Sequence, residues 1–219
     1  MNLDADSVAT WLRQHPEFFE SHSALLADIN LPHPHGTHAV SLSERQMQAM
    51  RDKNRALEAR MSELIGYAGA NDTTSGKVHR LAVSLIGARS MSTVLDIVHH
   101  QLKDDFAVPR SAIRLWGLKE DDERTEFAPV QGELREFVSH MEAPHCGHHA
   151  VYETSRWFEE EAPNLRSFAM MPLRDSVTFG VLLLASPDEN RFYPDMGTFY
   201  LNRIADLVGA ALRSQTHGP

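Results

Sequence analysis

The sequence predicts an α+β protein: an N-terminal helical segment and a long coiled-coil-like helix, then an antiparallel sheet with helices packed on one face. Three observations carry this. An apolar stripe with 3,4 spacing runs from Met47 to Ala68, which is the repeat of a coiled-coil seam. Two apolar segments, "SFAMMPLRD" and "VTFGVLLLAS", flank a short acidic turn, as in a hairpin. The order from residue 91 onward reads α-β-β-α-loop-β-β-α, which suits an antiparallel sheet with segregated helices.

Residues 3–31 read as two short helices. Asp6 or Ser7 can cap the first, with Val8, Trp11 and Leu12 on one face. His15 precedes Pro16, which ends one helix and suits the start of the next. Phe18, Phe19, Leu25, Leu26 and Ile29 form an apolar stripe, too small to be a core alone, so this piece is expected to dock on something. Leu31 to His38 holds two prolines and a glycine and reads as a connector, its His33, His35 and His38 being linker residues rather than ligands.

The next expected segment, 39–88, is a dimerisation helix. Its seam is Met47, Met50, Asn54, Leu57, Met61 and Leu64. Asn54 falls at an a position, where a buried Asn lowers stability but fixes the register of a parallel pair. Lys53 at g faces Glu58 at e of a partner copy with opposite charge. The alternative is a monomeric amphipathic helix packed on its own domain. "GYAGANDTTSGK" reads as a kinked or weakened stretch.

Residues 89–219 form the third part. "STVLDIVHHQLKDDF" is helical. "SAIRLWGL" alternates as a strand, with Ile113 and Leu115 on one face and Arg114 and Trp116 on the other. "TEFAPV" is a possible short strand and "GELREFVSHM" a helix. The nearly all-apolar "VTFGVLLLAS" belongs at the centre of the sheet. A final helix spans about Pro194 to Ser214.

Composition narrows the function classes. Hydrophobic content is 42% and charged content 23%, ordinary for a globular protein. No run reaches the ~18 apolar residues of a membrane span, and the acidic start "MNLDADSVATWL" does not resemble a signal peptide. One cysteine makes no internal disulfide, in keeping with a cytoplasmic location. Net charge is −9, and residues 91–219 hold 20 acidic against 12 basic side chains. Direct nucleic-acid binding is not expected without a basic footprint.

The closing stretch, with Pro172-Leu173 ending one strand, Gly180-Val181-Leu182 opening the next and Phe192 in the following loop, resembles the end of a GAF domain. The whole chain, through "VATWLRQHPEFFESH", "LPHPHGTHAVSLSERQ" and "MPLRDSVTFGVLLLAS", resembles the bacterial domain-of-unknown-function family 484. Its members join a helical segment to a GAF-like domain. The GAF resemblance implies a small-molecule or protein-interaction module, commonly dimeric and often tied to signalling, and more naturally non-enzymatic than enzymatic.

In such a fold, residues 143–166 would cover one face of the sheet. Arg114, Trp116, Cys146, Tyr152, Trp157 and Phe158 are then the candidate lining of a ligand pocket. The same aromatics could instead fill the space as a second core. "PHCGHH" offers Cys146 with His145, His148 and His149, but the spacing is not that of a structural zinc site. Cys146 could alternatively serve as a redox-sensing thiol. No cofactor is named by the sequence.

Overall fold

The computed structural model describes residues 4–23, 25, 30–32, 39–118 and 124–216. They fall into two compact units, Met1–Ala68 and Gly69–Pro219. The boundary lies within the long helix, which gives its first part to one unit and its second to the other.

In the first unit, α1 spans Ala5–Gln14 and α2 spans Glu17–Ser21, on either side of Pro16. Asp4 takes the N-cap position of α1 in place of Asp6 or Ser7, and its side chain makes no cap bond. Trp11 stacks on His15 at 4.5 Å and meets Phe18 edge-on at 5.6 Å. No residue of either helix is buried. Leu26 and Ile29 of the expected stripe lie outside the described residues, as do His33, His35 and His38. A ladder brackets the expected connector: β1 (Asn30–Pro32) pairs antiparallel with β2 (Ala39–Ser41), Leu31 opposite Val40, so the first three residues of the expected helical segment 39–88 are strand.

Directly after β2 comes α3, Leu42–Gly87, a helix of 46 residues. The expected weakening at "GYAGANDTTSGK" does not occur. Thr73 and Thr74 turn their hydroxyls back to the carbonyls of Gly69 and Ala70, each at 2.9 Å, so they stay within the helical ladder. Val78, Leu81 and Leu85 are buried just beyond, and tertiary packing of this kind overrides a poor local propensity.

The second unit continues with α4 (Met91–Asp104), whose N-cap Ser90 accepts a hydrogen bond from the Thr93 amide. Its C-terminus closes with Val108 N–H donating to the Leu102 carbonyl at 2.9 Å, with Ala107 at φ 52°. This is a left-handed helix ending with alanine where glycine is usual. Strand β3 (Arg110–Leu115) follows, then α5 (Gly132–His140), β4 (His145–Gly147), β5 (Ser167–Arg174), β6 (Thr178–Ser186) and α6 (Phe199–Thr216).

The sheet is antiparallel with order β3-β6-β5-β4. As expected, β6 is central, and all its residues from Phe179 onward are buried. "TEFAPV" is not a strand: Thr125–Phe127 is a 3-10 turn, followed by Pro129, which lacks an amide donor. The fourth strand is instead "HCG", inside the polar stretch. The last helix starts at Phe199, later than expected, after a turn in which Asp195 has φ 65°.

Two cores result. On one face, the C-terminal part of α3, with α4 and α6, packs on Ile113, Leu115, Met171, Leu182 and Leu184. The opposite face is covered by α5 and the irregular 3-10 segment Val151–Asn164, over Met170, Val181 and Leu183.

Candidate functional site

The face expected to hold a pocket is largely closed by side chains. Ile113 and Leu115 point to the long helices, so Arg114 and Trp116 point to the covered face. The Arg114 guanidinium lies over Trp157 at 4.8 Å, and Phe158 is buried among the β5 and β6 side chains. Trp116 Nε1 donates to the Thr178 carbonyl at 3.1 Å, with Arg135 over its ring at 5.6 Å. Burial pulls the Arg114 pKa below its ordinary value, and the charge of Glu126 opposes this. Arg110 ties the covering segment to β3 through Glu161. Tyr152 is exposed and rests on Phe137 at 5.3 Å. Two openings remain among the described residues: a groove of about 150 Å³ that includes Val130, Leu134, Tyr152 and Trp157, and a hollow of about 540 Å³ that includes His148, Leu165 and Phe168.

Four of the six candidate residues, Arg114, Trp116, Trp157 and Phe158, are thus brought together with Tyr152 at their margin. Cys146 is not. It pairs with Ala169 across β4 and β5, and both face the core under the long helices. Burial pushes its thiol up to about 11, the opposite of what a nucleophilic or sensing cysteine needs. His148 and His149 are exposed at a bend. Among the described residues, no three His, Cys, Asp or Glu side chains group as metal ligands.

Two arrangements were not anticipated. Ser111 Oγ lies 2.7 Å from His99 Nδ1, and His99 Nε2 is 3.6 Å from Glu126 Oε1. This row fastens α4 to β3 and to the 3-10 turn beside it. The second is a cavity of about 330 Å³ on the long-helix face. Leu184, Phe192 and Ile204 contribute to its apolar wall, and Lys77, Arg191 and Tyr200 its polar groups. Its residues come from α3, the end of α4, β6, the 187–198 loop and α6, so no local motif announces it.

A family profile described as "Protein of unknown function, DUF484" matches residues 1–214. The chain belongs to the DUF484 family. It is 28% identical over 218 residues to the uncharacterized protein YigA of Salmonella typhimurium strain LT2, covering 94% of this chain and 89% of that protein. Among solved structures, the DUF484 chain is similar to the GAF domain of the potassium sensor histidine kinase KdpD from Escherichia coli. That match has 15% identity and a TM-score of 0.42, over 65% of this chain and 94% of the other. It is also similar to the GAF domain of an Acinetobacter phosphoenolpyruvate-protein phosphotransferase, with 17% identity and a TM-score of 0.46, over 66% and 95%.

The glycine of the Gly180-Val181-Leu182 step has a packing role in this DUF484 protein. A Cβ at Gly180 would lie 2.8 Å from Leu115 Cδ2 and 2.9 Å from the Arg114 carbonyl oxygen. Glycine is what lets β6 sit this close to β3. Among the described residues, no helix is long and apolar enough to cross a membrane.

Proposed function

We propose that this DUF484 protein is a non-enzymatic cytoplasmic sensor or adaptor. It dimerises through the first part of α3 and passes a signal to a protein partner. The observation that carries this is the seam itself. Met47, Met50, Leu57, Met61 and Leu64 are each 52–68% exposed, at 3,4 spacing on one helix. An exposed apolar stripe of this kind marks an interaction surface. Most intrahelical polar contacts lie off it, namely Gln48–Asp52, Arg55–Asp52 and Tyr67–Glu63, and only Arg51 touches it among the described residues, donating to the Met47 sulfur at 3.8 Å. Asn54 and the complementary Lys53 and Glu58 favour a second copy in parallel register as the occupant.

Sedimentation velocity tests this. The intact chain should sediment as a dimer, and a Met61→Glu, Leu64→Glu double variant as a folded monomer. A monomeric intact chain, or a dimeric double variant, would overturn the proposal.

The second reading is a purely structural interaction module. It is favoured by the closed face under residues 151–164, where Phe158 and Trp157 occupy the space a ligand would need. In that case the Trp11, Phe18 and Phe19 surface binds another protein.

A further inference from the structure

We propose that the cavity on the long-helix face is a binding site for a small organic monoanion with an apolar body, such as an aromatic or aliphatic carboxylate. This goes beyond the dimer reading and does not depend on it. The volume, about 330 Å³, falls at the lower end of ligand pockets, roughly 300–1,000 Å³. Leu184, Phe192 and Ile204 line part of it and supply only hydrocarbon there.

Charge selects the ligand class. Residues 91–219 carry eight more acidic than basic side chains, yet the cavity is lined by Lys77 and Arg191 and by no carboxylate among the described residues. Arg191 is held in place. One guanidinium nitrogen donates to the Phe106 carbonyl at 2.6 Å, and the group lies 5.6 Å from the Phe192 ring centroid. The other guanidinium N–H groups have no partner among the described residues and remain available to an anion. Lys77 is half-buried and likewise forms no ion pair among the described residues. The apolar wall takes the body of the ligand, and the two cations take its anionic head.

Two fluorescent probes of similar size separate the contributions. 1-Anilinonaphthalene-8-sulfonate carries an anionic head, and N-phenyl-1-naphthylamine is its uncharged counterpart. Titration of the full chain should show the anionic probe binding at least about tenfold more tightly. Lys77→Gln and Arg191→Gln should each weaken the anionic probe severalfold and leave the neutral one unchanged. Circular dichroism melting confirms that each variant is folded. Equal affinity for the two probes, no binding of either, or an anionic affinity indifferent to both Gln substitutions overturns the proposal. None of these positions lies on the seam, so a failure here leaves the sedimentation behaviour unchanged.

Discussion

The Tyr200 hydroxyl donates a 2.8 Å hydrogen bond to the main-chain carbonyl of Asn71, 129 positions earlier in the chain. It fastens the first turn of α6 to the part of α3 that belongs to the same unit, beside the cavity. The hydrogen bond is solvent-exposed, so its contribution is modest. Tyr200→Phe should lower stability by about 0.5–1 kcal/mol in urea denaturation. Amide exchange should accelerate first at the start of α6.

Gly180→Ala should be far more damaging. Its Cβ meets a backbone oxygen at 2.9 Å as well as a leucine methyl at 2.8 Å, and backbone cannot swing aside. Overpacking of this kind costs about 1–3 kcal/mol or more. A thermal melt should show a clear drop, and an unchanged midpoint would contradict the tight β3–β6 approach.

Ala107→Gly should stabilise the protein. Ala107 sits at φ 52° at the end of α4, a conformation that an L side chain disfavours and glycine adopts readily. The relief should be about 0.5–1 kcal/mol in chemical denaturation, less the extra chain entropy of glycine when unfolded.

Leu81→Ala tests whether the second part of α3 is a core element. Leu81 is fully buried, and removing such a side chain costs about 2–5 kcal/mol. A loss below about 1 kcal/mol would mean that α3 packs more loosely on α4 and α6 than described.

Cys146 should react slowly with iodoacetamide at neutral pH, because only the thiolate attacks. Its rate should climb steadily with pH toward about 11, where an unfolded control would level off earlier. The sign for stability follows from the raised folded value. The stabilisation is complete below the unfolded thiol pKa and is lost as pH rises through the folded one. Cys146→Ser should flatten that alkaline decline.

Much of the second unit was legible in its sequence. The apolar run of β6, the alternation at Ile113–Trp116 and the Leu201–Leu212 stripe each follow from one local periodicity. The misread pieces depended on long-range geometry. "HCG" is three residues of strand with no alternation to display, and it exists because β5 offers an edge. The face Cys146 takes is set by its register against Ala169, which spacing alone does not reveal. "TEFAPV" looked like a strand because Phe127, Ala128 and Val130 are apolar, yet it caps an edge as a turn. The glycines near residue 70 suggested a break, whereas burial at Val78 and Leu81 holds the helix. The cavity draws on residues from 74 to 204, so only the folded chain brings Lys77 and Arg191 to one place.

The two outer strands of the sheet carry a last consequence. β4 is only three residues long, preceded by Pro144 and followed by a bend at His148. β3 has the Thr125–Phe127 turn laid along it. On its β4 side the four-stranded sheet therefore offers only a three-residue border to a visiting strand. Polymerisation by strand addition and recognition of extended peptides by augmentation are both disfavoured at that edge.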